Sequence, residues 1–391
     1  MAKITWISGL CGGEKLCSYG ADENEGSLLG HLMMRKQARP AIDSSISPTA
    51  GVARNGQPLS YNRAPRPELA PWIARLYYTK VDAPDDYRLD CGLFNETAFF
   101  RIQVKGDWRA ETASGPLRHG REALYFGPQS RLMPVSVTGG FCSIGISMRP
   151  GTCHVLKGPK VADYMDRIVT CNALGMDGDA MLARFDAEMA PEEALCTLEG
   201  LLEEMIVRRK ARQPDPLTVR FETALFIDPT FTIKDFVRDC GIEQRQLERT
   251  VRRDFGLPPK QVLRRVRALD MASHLRGVAD HSEAETLMLR YYDQSHLIRE
   301  FTEFFGMTPS QFVERPQPLL TLALESRQAR RLEALDRIEP GAVRPWQHVL
   351  PLAARAITPG PRRCRFPRAA GIPGCRDGSH HPRRSPPNWH R

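Results

Sequence analysis

Hydrophobic and polar positions change their rhythm twice along this chain. Before residue 65 no period is sustained, and Gly, Ser, Asn and Pro cluster, as in Ser44-Ser45-Ile46-Ser47-Pro48. Such a segment predicts disorder. From 66 to 150 apolar residues alternate with polar ones: Phe100, Ile102 and Val104, then Val135 and Val137, then Ile144, Ile146 and Met148. Period two predicts strands. Gly106-Asp107 reads as a turn, and Gly139-Gly140 as the turn of a hairpin joining the last two runs. Short strands separated by Pro and Gly predict a small barrel or sandwich.

From about residue 160 the period lengthens. Leu195, Leu198, Leu202, Met205 and Ile206 stand at helical spacing, with Glu192 and Glu193 near the start and Arg208, Arg209 and Lys210 at the end. Those charges suit the two ends of a helix dipole over 191–210. The stripe fits internal packing or a dimer seam equally well. Arg212-Gln213-Pro214-Asp215-Pro216 reads as a linker, 217–315 as short helices with repeated stops, and 317–338 as one more amphipathic helix. The expected class is α+β and multidomain. It comprises a mostly disordered extension (1–64), a β-barrel or sandwich-like domain (65–190), a helix and linker (191–216), an all-α domain (217–316), an amphipathic helix (317–340) and a disordered Arg/Pro-rich tail (341–391).

The all-α domain repeats itself. Shifted by fifty positions, 244–261 falls on 294–311: Gln244 meets Gln294, Leu247 meets Leu297, Arg249 meets Arg299, Phe255 meets Phe305, Gly256 meets Gly306 and Pro259 meets Pro309. Each copy has helix-turn-helix logic. Thr232-Ile233-Lys234-Asp235 and Ser282-Glu283-Ala284-Glu285 are capping boxes that open a first helix. Gly241 stops the first of these, because glycine accepts a left-handed conformation cheaply. The second helices run over 244–255 and 294–305, ending at Gly256 and Gly306. Lys260 to Leu275 predicts a connecting helix with Leu263, Val266, Leu269 and Ala272 inward.

Helical phase then separates faces. Leu247, Val251 and Phe255 form a buried stripe, and Arg249 lies about 200° from Leu247. Arg245, Arg249 and Arg252 therefore line the opposite face, as Ser295, Arg299 and Thr302 do in the second copy. A helix of this kind can enter a major groove, where Arg bonds two edges of guanine and Gln two edges of adenine.

Charge sharpens this picture. The 391 residues carry a net charge of +9, but ten arginines against one acid, Asp377, stand beyond residue 340. The remainder is near neutral. Within it, 243–267 holds eight basic and three acidic residues, a local excess that fits a DNA-facing edge.

Gln246-Leu247-Glu248-Arg249, Phe255-Gly256-Leu257-Pro258-Pro259-Lys260, Tyr291-Tyr292-Asp293-Gln294-Ser295-His296 and Phe305-Gly306-Met307-Thr308-Pro309-Ser310-Gln311-Phe312 together resemble the AraC/XylS family of bacterial transcription regulators. The resemblance implies a double helix-turn-helix whose recognition helices enter successive major grooves, attached to a β-rich sensor or dimerisation domain. It implies base contacts from Arg245, Glu248 and Arg249 in the first unit and from Gln294, Ser295 and Arg299 in the second. Phosphate contacts are expected from Arg252, Arg253, Lys260, Arg264 and His296. Where the family has glycine before the second recognition helix, this chain has Arg290, at a cost of order 1 kcal/mol if that residue is left-handed.

The expected partners are promoter DNA, a small-molecule effector, RNA polymerase and a second copy of the chain, in a bacterial cytoplasm at the nucleoid. No membrane span is expected, since no run of about 18 apolar residues occurs. Ten cysteines without a Cys-x-x-Cys pair predict neither a disulfide scaffold nor a zinc site. His119 and His154 form no ligand cluster, and no Gly-x-Ser-x-Gly elbow occurs, so neither metal, cofactor nor enzyme activity is expected. Two alternatives stay open: an interaction protein with degraded DNA specificity, and a thiol-reactive sensor using Cys91, Cys142 or Cys153.

Overall fold

Two long kinked strands organise the N-terminal half. In the structure, a computed structural model, residues 60–278 and 294–335 are described. The expected extension up to 59, the tail from 341, the Ser282 capping box and Arg290 to Asp293 lie outside them. Eight strands form one antiparallel sheet: β1 (Tyr61–Arg63), β2 (Ile73–Val81), β3 (Arg88–Leu93), β4 (Phe99–Thr112), β5 (Gly115–His119), β6 (Glu122–Phe126), β7 (Met133–Met148) and β8 (Ile168–Thr170). Their order is β1-β2-β7-β4-β6-β8, with β3 also on β7 and β5 also on β4.

Neither expected glycine turn is a turn. Gly106 lies inside β4 and Gly139-Gly140 inside β7. The two strands run side by side, and their register shifts between Gln103 and Asp107. Gly106 takes φ +125° and Gly139 φ +70°, values that a side chain would resist. A Cβ on Gly106 would also press on the Trp108 indole and Phe141. The paired bulges bend both strands at one level. Beyond the bend β7 changes partner: Phe141–Met148 pairs with β2, and Met133–Thr138 with β3. A two-residue period cannot distinguish a glycine turn from a glycine bulge, and so the hairpin expectation fails here.

The bent sheet is covered on both faces. One core joins Leu76, Tyr78, Phe100, Ile102, Ile144 and Ile146 to Leu195, Leu198 and Leu202 of a long helix, Pro191–Arg209. That stripe therefore packs within the chain. The other core holds Phe99, Trp108, Leu124, Phe126, Val137 and Phe141, with Leu319 contributed from the helix Pro318–Ala334. Residues 60–64, expected to be disordered, carry β1. Its three residues are too few to show a period, and it is held by pairing with β2 and by Arg63, which bonds the buried Glu199 at 2.9 Å.

Helices are numbered α1 (Thr152–Val155), α2 (Gly178–Leu182), α3 (Pro191–Arg209), α4 (Pro216–Ile227), α5 (Ile233–Cys240), α6 (Gln244–Phe255), α7 (Pro259–Leu275), α8 (Gln294–Phe305), α9 (Pro309–Glu314) and α10 (Pro318–Ala334). The connecting helix α7 belongs to two cores. Its Val262, Leu263 and Val266 pack with Phe221, Leu247, Val251 and Phe255. Its Leu269, Ala272 and Leu275 pack with Leu297, Phe301, Phe304, Phe305 and Phe312. Phe94, from the β3–β4 loop, inserts into this second core, 5.2 Å from the Phe305 ring.

Buried charge joins sheet and helices. Arg265 of α7 is wholly buried and donates to the backbone oxygens of Glu96 and Gln129, at 2.9 and 3.0 Å. Arg327 of α10 bonds Glu96 at 3.2 Å and Asp270 of α7 at 2.6 Å. Glu222 of α4 accepts from Arg149, after β7, at 2.6 Å and from Arg330 of α10. Burial alone would raise Glu96, but Arg327, then Arg265 and Arg330, outweigh it and hold the carboxyl below its usual range. Removing one member of such a set strands the others. Arg327→Ala should therefore cost about 3–5 kcal/mol, read by chemical denaturation.

His119 gives a pH dependence. Burial, and secondarily the charge of Arg101, push it down to about 4 from 6.5. The folded state then resists a proton that the unfolded chain takes up. Stability should be full above pH 6.5 and fall as pH drops towards 4, by on the order of 3 kcal/mol. His119→Phe should flatten that part of the pH–stability curve.

Candidate nucleic-acid interface

The first unit is built from local signals. Thr232 caps α5, its Oγ1 accepting from the Asp235 backbone N–H at 3.1 Å. Gly241 closes α5 at φ +63°, and Gly256 closes α6 at φ +78°. Leu247 and Val251 are completely buried. The opposite side of α6 carries Arg245, Glu248, Arg249 and Arg252, all exposed. Glu248 accepts from Gln244 at 2.8 Å, one turn earlier on the same helix. Lys260 is exposed at the start of α7.

In the second unit, Gln294 opens α8, and Ser295, His296 and Arg299 are exposed on it. Arg299 Nε donates to the Ser295 carbonyl at 3.1 Å. Thr308 and Gln311 form a reciprocal capping box at the start of α9. The buried side of α8 carries Leu297, Phe301, Phe304 and Phe305.

Half of the basic cluster at 243–267 is turned inward. Arg253 bonds Asp254 at 2.6 Å and Asp215 at 3.3 Å. Arg264 bonds Glu303 at 2.5 Å and Glu300 at 3.3 Å, and lies over the Phe304 ring. Arg267 bonds Glu300 at 3.2 Å, and Arg265 is the buried anchor described above. The structure thus places Arg253 and Arg264, expected on phosphates, in intramolecular ion pairs while leaving each partly exposed. The exposed cations of the cluster are Arg245, Arg249, Arg252 and Lys260. The inward turn of Arg265 has a signal in the sequence: it stands three and four residues from Val262 and Leu269, on the apolar stripe of α7.

Burial works against the thiolate at Cys91, Cys142 and Cys153. Burial pushes Cys91 and Cys153 up to about 12 and also raises Cys142, whereas a reactive cysteine needs a stabilised thiolate. Among the described residues no three His, Cys, Asp or Glu side chains group to hold a metal, and no helix is long and apolar enough to cross a membrane.

A capped helix, a glycine turn and a second helix with one apolar and one basic face define a helix-turn-helix protein, the DNA-binding class of transcription regulators. Residues 236–315 match the family model described as a helix-turn-helix domain. No curated protein matches the chain. Among solved structures, an apo single-residue variant of ToxT from Vibrio cholerae is 9% identical, covering 61% of this chain and 97% of its own, with a TM-score of 0.37. Wild-type ToxT from Vibrio cholerae with bound unsaturated fatty acid is 9% identical over 65% of this chain and 94% of its own, with a TM-score of 0.35. The AraC-like transcriptional activator CuxR is 15% identical over 55% and 88%, with a TM-score of 0.19.

Arg264→Ala should lower the melting temperature, because it leaves the buried Glu300 with one fewer partner. Arg245→Ala, on the exposed face, should leave thermal stability within about 0.5 kcal/mol of the parent. Calorimetry of the two variants distinguishes an internal tie from a free cation.

Proposed function

We propose that this chain is a sequence-specific DNA-binding transcription regulator that responds to a small-molecule effector. The observation that carries the reading is the α6 helix: a fully buried Leu247–Val251 stripe and, opposite it, exposed Arg245, Arg249 and Arg252. In this reading α6 reads one major groove, through Arg245, Glu248 and Arg249. The helix α8 reads the next, through Gln294, Ser295 and Arg299. Arg252, Lys260 and His296 supply phosphate contacts, which set affinity without sequence preference. The helix α7 is about 25 Å long. A unit at each of its ends suits grooves about 34 Å apart on one side of the duplex.

Effector binding falls to the β domain, where a cavity of about 100 Å³ lies between the sheet and α10. RNA polymerase and a second copy of the chain are the further partners of such a regulator, which works by binding and not by catalysis.

The test is enrichment of bound sequences from a random duplex pool at about 150 mM salt, using residues 1–340 so that the arginine tail supplies no non-specific affinity. A motif with two segments one helical turn apart is expected. Arg249→Ala should cost about 1–3 kcal/mol and relax one base position, whereas Lys260→Ala should weaken all sequences alike. Binding that enriches no motif and vanishes with salt would favour the degraded-specificity alternative.

A further inference from the structure

The cavity beneath α10 contains a cation without a counterion among the described residues. Arg101 of β4 lines it and is only 6% exposed. Its guanidinium lies 4.7 Å from the Phe126 ring centroid, 5.1 Å from that of Trp108 and 5.6 Å from that of Phe99. Nε donates to the Tyr77 hydroxyl at 3.1 Å. Nη1 is buried and has no hydrogen-bond partner among the described residues.

The other arginines on the same wall differ. Arg75 bonds Glu333 at 2.6 Å, Arg327 bonds Glu96 and Asp270, and Arg330 bonds Glu222. A guanidinium cannot shed its proton to escape burial. Stacking on aromatic faces offsets part of the desolvation cost, but an isolated buried charge still calls for an anion. Tyr77 accepts from Arg101, so its own O–H proton is free to turn towards a second acceptor. Gly145 makes this possible, because a Cβ there would run into the Tyr77 ring.

The geometry points to a binding site for a small organic carboxylate. The carboxylate would pair with Arg101 and accept from Tyr77, and an apolar body would lie against Phe99, Leu319 and Leu322. The size sets a limit. A closed cavity of about 150 Å³ holds benzene, so about 100 Å³ encloses a short chain, or a ring only in part. The site deepens the effector reading by naming a ligand class, and its consequence for DNA rests on that reading. The route between them is short: α10, which supplies Leu319 and Leu322, also carries Arg327, bonded to Asp270 on the helix joining the two DNA-binding units.

The experiment is calorimetric titration and thermal melting of the full chain with benzoate and with butyrate, against benzamide as a neutral isostere. The carboxylates should bind and raise the melting temperature, and benzamide should not. Arg101→Met should weaken carboxylate binding at least about 100-fold, and Tyr77→Phe about tenfold, as charged hydrogen bonds are lost. Arg101→Met should also melt no lower than the parent without ligand, because it replaces an uncompensated charge with an apolar side chain. Three results overturn the site: equal binding of benzamide, carboxylate binding unchanged in Arg101→Met, or no shift with either carboxylate up to about 10 mM. Selected-duplex affinity measured with and without benzoate separates the two readings. Benzoate bound with DNA affinity unchanged leaves the site standing and removes its effector role. Absent binding of both carboxylates removes the site and leaves DNA recognition intact.

Discussion

Arg265 is the pivot on which the molecule's organisation depends. It leaves the middle of α7, loses its water, and donates hydrogen bonds to two backbone oxygens of the β domain. Burial pushes it down to about 10 from 12.5, so it stays cationic at neutral pH. Its positive charge then has to be balanced within the protein. Glu96 does this, and Glu96 in turn engages Arg327, which reaches Asp270 back on α7. The circuit passes from helix to sheet, from sheet to α10 and back to the helix. A buried salt-bridge set of this sort contributes little net stability over an apolar contact. It does specify geometry, because each charge is tolerable only while its partners are in place. The sheet therefore docks on the helices in one register, with Phe94 in the second helical core and the Leu132 N–H bonded to the Phe304 carbonyl at 2.8 Å.

Much of the helical domain was legible from the chain, because its signals are local. Thr232, Gly241 and Gly256 act on backbone groups within four residues, so their meaning survives without tertiary knowledge. The faces of α6 follow from helical phase alone, and Leu247 and Arg249 lie where that phase puts them. The alternating runs of β4 and β7 were legible as strands for the same reason. What escaped was everything set by pairing. Gly139 is a turn or a bulge depending on which strand lies beside it, and its neighbour β4 is some thirty residues away. Arg264 reads as a free cation until Glu300 and Glu303 arrive from α8. Counting charges in a window measures composition, whereas binding depends on which charges remain unspent after folding.

That distinction reduces the basic cluster to a smaller surface with a clearer shape. Arg264 and Arg267 hold α7 against α8, and Arg265 holds it against the sheet, and so they fix the helix that spaces the two units. The outward ones, Arg245, Arg249 and Arg252, share one side of α6. Arginine serves both purposes here because its planar group can satisfy several acceptors when buried and can still lie flat against a base edge when exposed. Neither role would pass unchanged to lysine, whose compact ammonium lacks the fork.

The same seam joins the cavity to the DNA-binding units. Leu319, Leu322 and Arg327 stand on one helix, and Arg327 is bonded to Asp270 on α7. A ligand that changes how α10 sits on the sheet changes the surroundings of Asp270, and with them the helix shared by both helical cores. Coupling of this kind is reciprocal: whatever ligand binding does to DNA affinity, DNA must do to ligand affinity by the same factor. Its size is limited by the difference in ligand affinity between the two arrangements of the seam. A single buried ion pair with two partners is well suited to that task. It has few intermediate geometries, since lengthening either bond leaves a charge buried and unmatched.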